Sequence, residues 1–115
     1  MRIYDDNVRV FDTWGVWSYE GAAAWRKVIE EWFGSLGTEW VRVSFEDVQS
    51  TLGEDFAVVT AFGRYAGMSA EGVELRAMQN RFSWMLRRGE DGWKIIHEHT
   101  SAPLGFNDLK GILQR

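Results

Sequence analysis

The sequence contains only two histidines, and both lie in the segment WKIIHEHTSAP near its end. His97 and His99 are two residues apart, so in a strand their side chains point to the same face, together with Ser101. A pair of imidazoles suits proton transfer near neutral pH or the binding of an anion. A metal site would need a third and a fourth ligand, and the sequence has no further histidine and no cysteine. We therefore predict no metal and no cofactor; the alternative to a functional role is a hydrogen-bonded, half-buried pair.

A second group of candidate ligand-binding residues lies in the strand-like segment before the histidines. Gln79, Arg81 and Ser83 alternate with large apolar residues, which places the three polar side chains on one face of a strand. If that face lines a cavity, Arg81 is a forked donor for a carboxylate or another anion, beside His97 or His99. The alternative is an arginine in a surface or interface ion pair.

Asp12 is the candidate proton acceptor, because it follows a short predicted strand and precedes an aromatic loop. A carboxylate held in an apolar, tryptophan-lined pocket has a raised pKa and can take a proton from carbon or activate water. Trp17 and Tyr19, in the loop before the first helix, are predicted to line the mouth of such a pocket. The alternatives are an aspartate that only caps a turn and aromatic rings that only pack.

These residues must be positioned by one helix and a set of strands. Val8 and Val10 alternate with polar residues in a short strand that ends at Asp12. Apolar residues then recur at helical spacing, which predicts a helix from about Gly21 to Leu36.

Beyond that helix the period of the apolar residues changes from a helical one to two residues. Strands are predicted from Glu39 onward, in 56–67, in 73–88 and in 93–103, with turn residues between them. The tail carries apolar residues at helical spacing, which predicts a terminal helix that Gly111 weakens. The helix and the strands are segregated along the chain, which favours an α+β fold with an antiparallel sheet.

Composition limits the classes of function. The chain has 115 residues, 45% of them hydrophobic, a net charge of -4 and no cysteine. This length predicts a single domain over residues 1–115. Mixed charges without a basic patch argue against binding to nucleic acid or to an anionic membrane. Because nothing demands an oxidising compartment and the first residues do not resemble a signal peptide, a cytoplasmic location is expected.

Three segments together resemble the SnoaL-like and kinase-hub branch of the nuclear transport factor 2-like superfamily, which also includes ketosteroid isomerase. They are YDDNVRVFD with the helix that follows it, RFSWMLRRGEDGW, and WKIIHEHTSAP. The last is similar to the His-x-His-x-Ser ending of the calcium/calmodulin-dependent kinase association domain. The resemblance covers nearly the whole chain, but the helices that members carry ahead of the first segment have no counterpart.

The resemblance implies a cone-shaped, strongly curved antiparallel sheet packed on helices, with an internal pocket. It implies that Arg81 points into that pocket, and that Asp12 precedes its glycine much as the general-base aspartate of ketosteroid isomerase does. In that enzyme the region matched by Arg81 carries an acid, so its replacement argues against that particular chemistry.

Two functions follow as expectations. The first is a small-molecule-binding protein that acts as an acid/base enzyme of the isomerase, cyclase, dehydratase or hydrolase type, on a small apolar or carboxylate-bearing substrate, with Asp12 or His99 as the catalytic group. The second is a non-catalytic ligand-binding or oligomerisation module like the kinase hub. The heavy aromatic content, with 7 Trp and 7 Phe, serves a core and an interface, and a homodimer is expected.

Overall fold

The computed structural model describes residues 2–115, which form one helix and six strands. The elements are β1 Tyr4–Phe11, β2 Tyr19–Glu20, α1 Ala22–Gly34, β3 Trp40–Leu52, β4 Phe56–Met68, β5 Glu74–Gly89 and β6 Gly92–Ser101. The predicted α+β class, the helix and the four later strands are confirmed. The two-residue strand β2 was not predicted, because two residues are too few to show a periodicity.

All strands belong to one six-stranded sheet in the order β2-β1-β6-β5-β4-β3. Strands β3 to β6 form the expected antiparallel meander. Strand β1 pairs parallel to β6, with Phe11 opposite His99. The sheet is therefore mixed and not purely antiparallel as predicted, because the chain passes through α1 before the meander and β1 joins the far side of the last strand.

Helix α1 packs against one face of this sheet near its β1 end. We call this side the helix face; the opposite side is the outer face. The buried core on the helix face consists of Val8, Val10, Ala22, Trp25 and Ile95, with Trp84 and Leu86 packed against it. Burying a large apolar side chain contributes about 1.5–3 kcal/mol. This cluster therefore fixes α1 on β1 and on the centre of the sheet.

Alternation along β5 and β6 decides which side chains share a face. Trp84 lies on the helix face with the core, and Glu98 is its direct partner across the two strands. Thr100 is buried two residues further along, on the same face. His97 and His99 consequently belong to the outer face, as does Arg81, whose side chain bonds to Ser101.

The tail does not form the predicted helix. It turns back on itself through a bridge between Leu104 and Gly111, and Leu109 has a φ of 58°, which a helix does not contain. The last residues of the tail bond to the sheet: the backbone N–H of Gln79 in β5 donates to the carbonyl of Leu113 at 2.7 Å. Phe106, by contrast, is 95% exposed.

No helix in the described part of the chain combines the length and the apolar character that a bilayer crossing requires.

Candidate functional site

A buried glutamate lies at the centre of a polar network on the helix face. Glu98 is 6% exposed. The hydroxyl of Tyr4 donates to its Oε1 at 2.5 Å, and the indole Nε1 of Trp84 donates to the same oxygen at 2.8 Å. The other oxygen, Oε2, accepts no hydrogen bond from residues 2–115. One oxygen is thus held by the protein, and the second is available to carry a proton or to contact a bound molecule.

Burial raises the pKa of Glu98, and the negative charge of Asp12 raises it further, whereas the hydrogen bonds from Tyr4 and Trp84 lower it in part. Burial is the largest of these causes, because a carboxylate loses its hydration in an apolar environment. Burial and the neighbouring Glu98 also hold the pKa of Tyr4 well above its usual range. Tyr4 therefore keeps its proton, and remains a hydrogen-bond donor, over the pH range in which Glu98 ionises.

A second carboxylate is held on the same face. The hydroxyl of Thr100 donates to Oδ1 of Asp12 at 3.1 Å. The same hydroxyl oxygen accepts from the backbone N–H of Thr13 at 2.9 Å. Because Thr100 follows Glu98 by two residues in β6, the residue that holds Asp12 lies about 7 Å along the strand from Glu98. Asp12 is half-buried and held by the side chain of Thr100, so it is not a turn cap in solvent.

A tyrosine and an amide complete the network. Burial raises the pKa of Tyr65, the Asn80 amide lowers it in part, and the charges of Glu98 and Asp12 raise it again. The amide nitrogen of Asn80 donates to the hydroxyl of Thr13 at 3.2 Å. Its Oδ1 is buried and has no partner within the described residues. The helix face thus offers an acidic group, a phenolic donor and a free acceptor side by side.

A glycine keeps this corner open. A Cβ at Gly63 would lie 2.9 Å from Oδ1 of Asn80 and 3.1 Å from the hydroxyl of Tyr65. Both distances are shorter than an ordinary contact, so a larger residue here would displace the two polar groups.

The predicted ligand-binding residues lie on the outer face instead. Arg81 Nε donates to Ser101 Oγ at 2.9 Å, and Ser83 pairs with His99 across β5 and β6. The Oε1 of Gln79 accepts a hydrogen bond from the backbone of Arg115 at 2.8 Å. Arg81 alternates with Asn80 and Phe82, which face the helix, so its side chain lies on the side of the sheet away from α1.

The two histidines contact each other and one aromatic ring. The ring centroids of His97 and His99 are 6.3 Å apart, and the ring of Phe11 stands edge-on to both, at 4.9 and 5.6 Å. His97 Nδ1 lies 2.7 Å from the carbonyl oxygen of Arg9. The predicted meeting of Asp12 with Arg81 and His99 does not occur, because the sheet lies between them.

The two aromatic residues predicted to line the mouth of the pocket, in the loop before α1, also lie apart from each other. Tyr19 packs against Trp25, with 5.5 Å between the ring centroids. Trp17 is 96% exposed and contacts no part of the site. Among residues 2–115, no three His, Cys, Asp or Glu side chains come together in a way that could hold a metal ion.

Sequence reasoning missed Glu98, Tyr4, Tyr65 and Asn80. One signal was available: in HEH the glutamate lies between two histidines, so period-two alternation places it on the opposite face. That face carries the apolar residues of β5 and β6, and a lone acid among them is a candidate for a perturbed pKa.

Several solved structures share the fold of this chain. An NTF2-like protein of unknown function from Pseudomonas putida KT2440 is 22% identical, and the match covers 99% of this chain and 78% of that one with a TM-score of 0.86. A proposed dehydratase of the NTF2-like family from Streptomyces avermitilis is 21% identical over 85% of this chain and 67% of that one, with a TM-score of 0.69.

A proposed calcium/calmodulin-dependent protein kinase II association domain from Xanthomonas campestris is 19% identical over 89% of this chain and 70% of that one, with a TM-score of 0.66. At these identities the likeness shows the fold alone, and it agrees with the resemblance found in the sequence. No curated protein matches the chain. The SnoaL-like domain family, however, matches residues 1–105, and the chain therefore belongs to that family.

Proposed function

We propose that this protein is an acid/base enzyme that moves a proton on a small, largely apolar molecule bound on the helix face. The observation that carries the proposal is the buried carboxyl of Glu98: its pKa is raised, one of its oxygens is held by two donors and the other is free. Buried acids with strongly perturbed pKa values occur preferentially at functional sites. A module that only binds or assembles has no need of such a group.

The reaction that fits this arrangement is proton abstraction from a carbon next to a carbonyl group. Glu98 in its neutral form and Tyr65 would donate hydrogen bonds to the carbonyl oxygen, on which negative charge develops. Asp12, held by Thr100, would take the proton from carbon. The protein keeps Oε1 of Glu98 occupied by Tyr4 and Trp84, which leaves Oε2 to carry the donated proton.

The surroundings favour an apolar substrate. Phe82 and Trp84 lie on the same face as Glu98, and their rings are 5.3 Å apart. Phe45, also on this face, packs against Phe82 with 5.1 Å between the centroids and is still 50% exposed. We propose that the sheet curves around the substrate as a cone, with α1 on one side and these rings as the floor.

Two similarities to known proteins support this class of reaction. The family is SnoaL-like, and one protein of the same fold is described as a proposed dehydratase, which is a reaction that also begins with proton transfer. The predicted homodimer and the cytoplasmic location stay predictions.

The test is hydrogen exchange on small ring ketones. Cyclohexanone, cyclohex-2-enone and 1-indanone would be incubated with the protein in D2O, and loss of the signals of hydrogens next to the carbonyl would be followed by NMR. Asp12→Asn should slow protein-dependent exchange by a factor of about 100 or more, as expected for loss of a general base. Glu98→Leu should slow it by about the same factor, as expected for loss of a donor to the oxyanion.

The control is Arg81→Gln, which changes an exposed side chain on the outer face and should leave exchange unchanged. Exchange that is no faster than in buffer for all three ketones, or that falls equally in the control, would contradict the proposal.

A further inference from the structure

We infer that the outer face carries a second binding site, separate from the acid/base site, for a small carboxylate. A groove of about 320 Å³ lies across β3, β4, β5 and β6, and its lining includes Asp47, Phe62, Arg81, Ser83, His99 and Ser101. A volume of this size is at the lower end of that of small-molecule sites. Of the residues on the helix face, Ala61 and Phe82 border this groove, whereas Glu98, Tyr65 and Asp12 do not.

The arginine defines the class of ligand. Nε of Arg81 is occupied by the hydroxyl of Ser101 at 2.9 Å, so the bond fixes the plane of the guanidinium. Its two terminal nitrogens then remain as a parallel fork that matches a carboxylate. Within residues 2–115 no carboxylate lies within ion-pair distance of Arg81, whereas Arg64 is paired with Glu74 at 2.9 Å.

Further donors and an apolar surface adjoin this fork. Ser83 and His99 are direct partners across β5 and β6, and both line the groove. Phe62 is the direct neighbour of Arg81 across β4 and β5. The guanidinium of Arg115 lies 3.8 Å from the centre of that ring, and it is itself held by Glu46 at 3.1 Å. The ring is thereby fixed as one wall of the groove.

A negative charge at the other end gives the site a direction. Asp47 lines the groove from β3, two strands away from β5, which is about 10 Å. It repels an anion from that end, so the carboxylate of a bound ligand is directed to Arg81. The observations together describe an acid with a short, flat apolar body that lies between the two ends.

Benzoate has this chemistry, and benzamide is its neutral counterpart of the same shape. The side-chain Nε–Hε signal of Arg81 would be followed by NMR during titration with each compound. Benzoate should shift the signal saturably, and benzamide should bind at least about tenfold more weakly, because a charge-assisted hydrogen bond is lost.

Variants locate the site. Arg81→Gln should weaken benzoate binding by about tenfold or more, measured by calorimetry. Arg88→Gln removes another exposed arginine from the same strand, one that also lacks an ion pair within the described residues, and should leave binding unchanged. Glu98→Gln should also leave it unchanged, so this inference and the proposed enzyme activity fail or succeed separately.

Three results would overturn the inference. The first is an equal response to benzoate and benzamide. The second is benzoate binding that survives Arg81→Gln or is lost in Glu98→Gln, which would assign the ligand to the helix face. The third is no response at all, which is expected if two copies of the chain bury the outer face against each other; sedimentation of the same sample would identify that case.

Discussion

The hydrogen bond between Tyr4 and Glu98 should stabilise the protein more at high pH than at low pH. Tyr4→Phe removes only the hydroxyl that donates to Oε1 of Glu98 at 2.5 Å. A hydrogen bond to a neutral acceptor contributes about 1 kcal/mol, and one to a charged acceptor contributes about 1.5–3 kcal/mol. Because Glu98 changes its charge and Tyr4 does not, the substitution should cost about 1 kcal/mol near pH 4 and about 2 kcal/mol near pH 9.

The sign of the wild-type pH dependence follows from the raised pKa of Glu98. Above the ordinary carboxyl pKa of 4.5, the unfolded chain loses its proton first, and the folded protein keeps it. Folding then binds a proton, so the free energy of unfolding falls as the pH rises, until it passes the folded-state pKa and levels off. Glu98→Gln cannot ionise, and it should remove this fall.

The assay is urea denaturation of the wild type, Tyr4→Phe, Glu98→Gln and the double variant, near pH 4 and near pH 9. In the Glu98→Gln background the amide oxygen still accepts from Tyr4, so Tyr4→Phe should cost about 1 kcal/mol at both pH values. The extra cost of Tyr4→Phe at high pH in the wild-type background measures the coupling between the Tyr4 hydroxyl and the charge of Glu98. An identical cost at both pH values in both backgrounds would refute the account of Glu98.

Three further predictions test the packing around the site. Gly63→Ala should lower the free energy of unfolding by about 1–3 kcal/mol in urea, because its Cβ would meet Asn80 at 2.9 Å; Gly34→Ala, where nothing lies within 4 Å, is the control and should not destabilise. Thr100→Val should cost about 1–2 kcal/mol and slow ketone exchange, since it removes the hydroxyl that holds Asp12; no loss in either measurement would show that Asp12 is positioned otherwise. Trp17→Phe should change the thermal stability by less than about 0.5 kcal/mol, because the ring is 96% exposed; a larger loss would mean that this ring is covered in solution.

Much of the fold could be predicted because its elements have a clear period. The alternation of Val41, Val43 and Phe45 with polar residues placed β3 correctly, and helical spacing placed α1 to within two residues at each end. Local periodicity also showed which residues of β5 share a face. It could not show which face α1 covers, because that depends on contacts between distant parts of the chain.

The candidate site was predicted only in part for the same reason. Asp12 was identified as a carboxylate near a strand end, and it does lie on the helix face. Arg81 and His99 were expected to meet it, but the parallel pairing of β1 with β6 places Asp12 beside Thr100 and leaves them on the other side. Glu98 was overlooked, since the two histidines around it drew attention to their own face.

The tail shows the limit of helical spacing in a short segment. Phe106 and Leu109 are three residues apart, but Gly105 and Gly111 bracket them and favour a turn over a helix. Hydrogen bonds inside this turn satisfy backbone N–H and C=O groups that a helix would have paired differently. One of them runs from the N–H of Gly105 to the carbonyl of Lys110 at 2.7 Å.

The most direct test of the central claim is a crystal structure of the protein soaked with phenol, whose hydroxyl oxygen occupies the place of a reacting carbonyl oxygen. We expect the phenol ring on the helix face against Phe82 and Trp84, with its oxygen within hydrogen-bond distance of Glu98 and Tyr65. A helix face that is filled by the protein's own side chains, or phenol bound only elsewhere, would contradict the claim that Glu98 serves a substrate.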